Sequence, residues 1–332
     1  MTILGIETSC DETSAAVVKD GRQVFSNIIA SQIDIHAQFG GVVPEIAARH
    51  HIESIGYIVN QALAEANLTL ADIDGFAVAN GPGLAGALLV GLNYAKGLAY
   101  AHQKPIIGVN HIEAHICANQ LDREPEDLQG PFLALVVSGG HTSIFSVHGE
   151  AYTILGSTKD DAAGEAFDKA ARVLGLPYPG GPQIDRLAQE GNPDMVPFTK
   201  AKMPGLDFSF SGIKTAVLQY RAKHPDTSVA DIAASFQKSV VDTLVGKVME
   251  AQAIHGYKTV ALAGGVACNR GLRTAMAVAC EARGLRLVMP APIFCTDNAA
   301  MIAARGYITL RDMPPGQPIN WGLNAHPGRM VV

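Results

Sequence analysis

The pentapeptide His111-Ile112-Glu113-Ala114-His115 is where residue type and spacing point most directly to chemistry in this chain. Histidines four apart on a helix project from one face, because the side-chain period is about 3.6 residues. Two imidazoles side by side can grip one cation. Imidazole suits iron, zinc, copper and nickel better than magnesium or calcium. The order is not that of the zinc-protease helix, where the glutamate directly follows the first histidine. Glu113 stands two positions along, roughly 200° around the helix at about 100° per residue, and points away from any ion the histidines hold. The spacing therefore admits a metal centre and disfavours a glutamate-driven metalloprotease. The competing reading is two surface histidines at a helix start, with Asn110 as N-cap.

Three loops could hold an anion: Thr8 to Ser14, Ser138 to Thr142, and Ala263 to Asn269. Each puts small or hydroxyl-bearing residues between an apolar strand and the next element, so backbone N–H groups can approach a phosphate closely. The third also opens a helix, whose dipole favours negative charge. Taken singly, each is equally a plain tight turn. The nearby acids have ordinary readings as well. Asp11 can cap a turn, Asp160 and Asp161 can cap a helix from Ala163, and Asp297 can cap the apolar helix after it. Glu165 and Lys169, four apart, can pair on a helix surface.

The elements that must position these groups read as an α/β chain. Ile3 to Ile6, Ala15 to Val18 and Gln23 to Ile29 read as strands, the last two joined by an Asp20-Gly21 turn. A helix from Pro44 to Ala66, a strand from Ile73 to Ala79, a helix from Leu84 to Ala101 and a strand from Pro105 to Val109 lead to the His111 helix. The pattern then restarts: Phe132 to Val137, Ser143 to Val147 and Ala151 to Leu155 form a second meander. Helices follow at Ala163 to Leu174, Gly212 to Tyr220, Val229 to Ala253, Gly271 to Arg283 and Asn298 to Leu310, with a strand at Thr259 to Ala263. The restart indicates an internal duplication. The segment from Asp122 to Gly130 is the natural joint between the halves.

Composition bounds the function classes. At 332 residues, 48% hydrophobic and 17% charged, with 34 glycines, the chain fits two α/β domains with large cores. Cys10, Cys117, Cys268, Cys280 and Cys295 are odd in number and scattered, with no Cys-x-x-Cys spacing. This indicates neither a disulfide framework nor a zinc ribbon and fits a reducing, cytoplasmic setting. No signal peptide precedes the first strand. The apolar run from Gly75 to Ala101 is broken by Asn80, Pro82, Asn93 and Lys96, so it reads as strand, turn and core helix rather than as a membrane span. The net charge of −6 shows no global basic footprint for nucleic acid. Local basic clusters, Lys200 with Lys202 and Arg270 with Arg273, Arg283 and Arg286, are more simply solvated faces. An RNA substrate would need a local patch or a helper protein.

Nine collinear motifs carry a resemblance. They are Gly5-Ile6-Glu7-Thr8-Ser9-Cys10-Asp11-Glu12-Thr13, Gly40-Gly41-Val42-Val43-Pro44-Glu45, His111 to His115, Val137-Ser138-Gly139-Gly140-His141-Thr142, Gly164-Glu165-Ala166-Phe167-Asp168-Lys169, Tyr178-Pro179-Gly180-Gly181-Pro182, Asp207 to Lys214, Ala263 to Arg273, and Cys295-Thr296-Asp297-Asn298. From Ile3 to about Ala304 the chain resembles the tRNA N6-adenosine threonylcarbamoyltransferase family. The resemblance implies a duplicated actin-like, sugar-kinase-like and Hsp70-like fold with an interlobe cleft. Its lobes would be 1–110 with about 297–325, and 111–296. It implies transfer of a threonylcarbamoyl group from threonylcarbamoyl-AMP to N6 of adenosine 37 in tRNAs reading codons that begin with A, with release of AMP. His111, His115 and Asp297 would hold one divalent metal, described as iron, with zinc or magnesium as alternatives. Val136, Val137, Ser138, Gly139 and Gly140, with Asp168, Gly181, Asp185 and Asn269, would hold the adenylate. The implied partners are tRNA and TsaB-like and TsaE-like proteins, with no membrane.

The adenine N6 amine is a poor nucleophile because its lone pair is delocalised, so an activated acyl donor is required. In this reading the metal acts as a Lewis acid, the Ser138 to Gly140 amides act as oxyanion or phosphate donors, and Asp11 is the candidate base for the N6 proton. The apolar helical stretches from Glu45 to Ala66 and Leu84 to Ala101 could offer a partner-docking face, although core packing is the simpler reading. Three alternatives remain at this level: a small-molecule kinase of the same fold, a metalloprotease (an older label of the family), and a non-catalytic nucleotide-binding scaffold. The histidine pair argues against the kinase, because phosphoryl transfer prefers hard oxygen ligands. The whole reading requires His111, His115 and Asp297 to lie close enough to share one ion.

Overall fold

The structure is a computed structural model that describes residues 1–123, 128, 130–314 and 319–328. The chain forms two compact units, Met1–Gln129 with Pro290–Val332, and Gly130–Met289.

In the first unit, β1 (Thr2–Glu7), β2 (Glu12–Lys19) and β3 (Gln23–Ser31) make an antiparallel meander. The turn between β2 and β3 puts Asp20 and Gly21 at φ 51° and 66°, the left-handed pair that suits a tight hairpin. A short helix α1 (Ile33–Ala37) and the long α2 (Pro44–Glu65) follow, then β4 (Gly75–Gly81), α3 (Ala85–His102), β5 (Ile106–Asn110) and α4 (His111–Cys117). The parallel strands β4 and β5 extend the sheet beyond β1, giving the order β3-β2-β1-β4-β5. Strand alternation sends Leu4, Ile6, Phe76 and Val78 to the α2–α3 face and Ile3, Ala77, Ala79 and Val109 to the opposite face. That opposite face is covered by the last helix of the chain, α10 (Ala299–Arg311). It lies very close to the sheet because the facing residues are small. A Cβ on Gly5 would stand 2.2 Å from Ala299 O, and one on Gly306 would stand 2.3 Å from the Ala77 Cβ. This approach brings the start of α10 to α4, although Asp297 stands 182 positions after His115.

The second unit repeats the plan. Strands β6 (Phe132–Val137), β7 (Thr142–His148) and β8 (Ala151–Ser157) form the meander. Helices α5 (Ala163–Val173), α6 (Gly180–Ala188), α7 (Ser211–Lys223) and α8 (Val229–His255) come next. Then come β9 (Thr259–Ala263), α9 (Arg270–Glu281) and β10 (Arg286–Val288). The sheet order β10-β9-β6-β7-β8 is the first sheet's order read from the other edge, with the same antiparallel and parallel pairings. The two sheets therefore bear out the duplicated α/β fold.

The expected lobe boundary at residues 110 and 111 is corrected to one near residue 129. Helix α4 buries Ala114 and Cys117 in the same cluster as Ala299 to Ala304, so it belongs to the first unit. Phe294 joins that cluster too, so the return to the first unit begins at Pro290 rather than at about 297. Within the expected joint, residues 124–127 and 129 lie outside those described. Helices α1 and α6 and strand β10 were not expected. α6 begins Gly180-Gly181-Pro182, which reads as a loop by composition. The run from Gly75 to Ala101 is β4 and α3, and no helix among the described residues is long and apolar enough to cross a membrane.

Candidate functional site

The metal-binding candidates lie within the first unit. β5 ends at Asn110, whose Oδ1 accepts from the backbone N of Ile112 at 2.9 Å and of Glu113 at 3.2 Å. This cap starts α4 at His111 and sets His115 one turn on. Their rings meet edge to face with centroids 4.6 Å apart. At the other end of the sequence Asn298, not Asp297, caps α10, its Oδ1 accepting from Met301 N at 3.0 Å. The expectation that Asp297 is the cap is corrected, and the Asp297 carboxylate points to the histidines. Its Oδ1 lies 3.4 Å from His111 Nε2 and 3.2 Å from His115 Nε2. One ligand atom from each of the three residues falls within 4.8 Å of the others.

Around this triad the charges are arranged for a cation. The fully buried Glu7, which ends β1, places Oε2 2.9 Å from His111 Nδ1. Ser9 Oγ lies 3.2 Å from the same nitrogen, and Ser9 N donates to Glu7 Oε1. A carboxylate on Nδ1 leaves Nε2, the atom facing Asp297, as the ligating nitrogen. Burial opposes a charge on His111, but Asp297 and Glu7 hold its pKa well above the ordinary imidazole value. Burial likewise opposes the Asp297 carboxylate, but His111 and His115 hold its pKa far below the usual range. Burial lowers the His115 pKa, and neither of its ring nitrogens has a hydrogen-bond partner of adequate geometry. A buried imidazole whose Nε2 faces the Asp297 carboxylate outside good hydrogen-bond geometry fits a metal ion better than a closed hydrogen-bond network. Glu113 faces away and pairs with Arg305 at 2.7 Å, as its place on the helix predicts. It is committed elsewhere and cannot serve a metalloprotease reaction at an ion held by the triad.

The β1–β2 loop borders the triad. Asp11 is buried, and its backbone O accepts from Gln32 N at 3.0 Å. Burial, then the carboxylates of Asp297 and Asp11, push Glu12 up to about 9, so it is protonated at neutral pH. Burial and the same two acids raise the Cys10 thiol, which makes it a poor nucleophile.

In the second unit the expected adenylate residues are joined by a continuous chain of contacts. Ser138 N donates to His141 O at 2.8 Å, closing the turn after β6. Gly139 and Gly140 face open space, since a Cβ on either would meet nothing within 4 Å. Gly264 (φ 87°) packs on Val137, where a Cβ would stand 2.4 Å from Val137 O. Gly164, at the start of α5, packs on Ser138 and Gly139. Asp168 on α5 accepts from Gly180 N at 2.7 Å, which starts α6 beside Gly181. Asp185 on α6 accepts from Arg270 N at 3.2 Å and from Arg270 Nε at 2.9 Å, next to Asn269. Val136 and Val137 have buried side chains, so only their backbone is available to a ligand. Asp160 is corrected from a cap of the Ala163 helix. It accepts instead from Ser209 and from Ser211 and Phe210 at the start of α7, while Ala163 N bonds to Thr142 Oγ1. Asp161 and Glu165 both pair with Lys169.

The family model described as tRNA N6-adenosine threonylcarbamoyltransferase matches residues 23–304. The chain belongs to that family. The enzyme of that name from Clostridium novyi (strain NT) is 58% identical over 314 residues, covering 92% of this chain and 91% of that protein. The one from Clostridium perfringens (strain SM101) is 55% identical over 334 residues, covering 98% and 96%. A tRNA N6-adenosine threonylcarbamoyltransferase is a transferase, and these relatives do not favour a kinase. Solved structures agree on the fold alone. The Acidaminococcus fermentans (R)-2-hydroxyglutaryl-CoA dehydratase component A superposes with a TM-score of 0.57 at 17% identity, covering 94% of this chain and all of that one. The ROK hexokinase of Thermus thermophilus gives 0.55 at 15%, covering 94% of this chain and all of that one. T. kodakarensis HypF gives 0.64 at 16%, covering 93% of this chain and 48% of that one.

Sequence reasoning passed over Glu7, Ser9, Glu12 and Gln237 as individual site residues. Glu7 carried a signal, since a carboxylate that closes the apolar run Ile3 to Ile6 needs a buried partner. Gln237 carried one as well, a polar side chain on the apolar face of α8.

Proposed function

We propose that this transferase takes threonylcarbamoyl-AMP as donor and modifies N6 of adenosine 37 in tRNAs reading codons that begin with A. The observation that carries the reading is the His111–His115–Asp297 triad, with Glu7 fixing the His111 tautomer. The donor set of two imidazoles and one carboxylate suits iron, or zinc, better than magnesium. His111, His115 and Asp297 would hold the ion, which when bound supplies Lewis acidity toward donor oxygen atoms.

The remaining roles fall to the chain's own groups. The backbone amides of Ser138 to Gly140 would take the phosphate of the adenylate, and Asp168, Gly181, Asp185 and Asn269 would position the rest of the AMP moiety. N6 attacks the carbamoyl carbon, the bond from that carbon to the phosphate oxygen breaks, and AMP departs with the electron pair. Asp11 would accept the N6 proton. Adenosine 37 lies in a loop, so it is reached without opening a duplex. TsaB-like and TsaE-like proteins would complete tRNA binding, and the scattered cysteines, which form no disulfide among the described residues, fit a cytoplasmic setting.

The test is a reconstituted reaction with labelled threonine, bicarbonate, ATP, tRNA and the helper proteins, read by nucleoside mass spectrometry. The wild-type chain should give threonylcarbamoyl-adenosine. The double variant H111A/H115A should lose metal, measured by elemental analysis, and product together. Full product from that variant in metal-free buffer would end the metal reading.

A further inference from the structure

The Asn269 carboxamide is held by the protein at both ends. Its Oδ1 accepts from Leu272 N at 2.9 Å, capping α9, and its Nδ2 donates to Gln237 Oε1 at 2.7 Å. Leu272 N can only donate, so the oxygen of Asn269 must lie on that side and the nitrogen on the other. Gln237 must then turn its own oxygen toward Asn269. One backbone amide thus sets the orientation of two side-chain amides in series. Gln237 stands on α8 and is 5% exposed, a burial that a glutamine seldom accepts without a partner to fix. The helix start makes room for it: a Cβ on Gly271 would stand 2.7 Å from Gln237 Nε2.

We infer that Gln237 is a positioning residue for nucleotide recognition, locking the Asn269 amide so that it meets the ligand as a hydrogen-bond donor. An amide nitrogen carries two hydrogens, and Gln237 takes one. The other is left for an acceptor on an adenine nucleotide: a ring nitrogen, a ribose oxygen or a phosphate oxygen. On its Nδ2 side Asn269 can only donate to a ligand. The inference rests on the reading of the second-unit loops as the adenylate site.

The test uses the intact chain, AMP titrated by calorimetry, and two variants. Gln237→Met keeps length and removes the acceptor. Asn269→Asp keeps the cap on Leu272 N and lets Gln237 rotate to donate, so the fold persists while the presented polarity reverses. Q237M should weaken AMP binding about tenfold, the scale of one hydrogen bond. In the reconstituted reaction Q237M should raise KM for the donor adenylate by a similar factor and leave kcat within about twofold. N269D should keep the wild-type melting temperature and lose AMP binding at least as strongly. AMP affinity unchanged in Q237M, or retained by N269D, would overturn the positioning role. Failure of the wild-type chain itself to take up AMP would overturn the adenylate reading beneath it.

Discussion

Single side chains in this protein work through the partners that fix their tautomers and rotamers. His51 shows this away from the His111–His115–Asp297 triad. Its Nε2 lies 2.9 Å from Cys10 O, and its Nδ1 lies 2.7 Å from Thr13 Oγ1 and 3.3 Å from Gln32 Nε2. The imidazole therefore ties α2 to the loop that carries Asp11. Burial lowers its pKa, with His36 adding to the effect and Cys10 O, Glu7 and Asp11 opposing it. A histidine depressed in the folded state binds its proton more readily when unfolded. Its contribution is therefore present above the unfolded value of about 6.5 and is lost as pH falls below it. Urea midpoints measured from pH 7.5 to 5 should fall more steeply for the wild type than for His51→Gln, which starts lower but cannot titrate. Parallel slopes would show that His51 takes up its proton equally in the folded and unfolded states, so that its pKa is not depressed.

At the scale of elements, the sites are placed by glycines and caps that let backbones touch. Gly5 admits the start of α10, and Gly164 admits the Ser138 turn to the start of α5. A Cβ on Gly164 would stand 2.5 Å from Ser138 O and 2.8 Å from Gly139 Cα. Both are backbone atoms of the Ser138 turn and cannot swing aside. Gly164→Ala should destabilise the chain by about 1–3 kcal/mol, the usual cost of overpacking. It should also weaken AMP binding, while metal uptake at the first unit is unchanged. Denaturant unfolding, AMP titration and elemental analysis read the three effects separately. Equal loss of metal and AMP would mean that G164A acts by general unfolding rather than on the loop.

Across the whole molecule, the basic residues that could have formed a nucleic-acid footprint are largely engaged internally. Lys200 pairs with Asp242 and Arg270 with Asp185, while Arg273 and Arg283 donate to the backbone oxygens of Ala267 and Met249. A net charge of −6 works against the phosphate contacts that dominate RNA affinity. The chain alone should bind tRNA weakly and with a shallow salt dependence. Adding TsaB-like and TsaE-like proteins should tighten binding at least tenfold at fixed salt, measured by filter binding or fluorescence anisotropy. Equal affinities with and without them would remove the need for helpers.

Much of the fold and part of the site follow from local sequence, because periodicity, turn chemistry and caps act over a few residues. The meanders, the Asp20-Gly21 turn, the cap at Asn110 and the side-by-side histidines are of this kind. So is the aim of Glu113 away from the histidines. Partners far apart in sequence were set by packing instead. Asp297 reaches His111 and His115 because small residues let α10 lie on the first sheet, and Asn298 takes the cap that would otherwise occupy the Asp297 carboxylate. Glu7 behind His111 and Gln237 behind Asn269 are also tertiary outcomes. A buried polar group must find a partner wherever the chain brings one, and that choice is made by the whole fold rather than by the residue's neighbours in sequence.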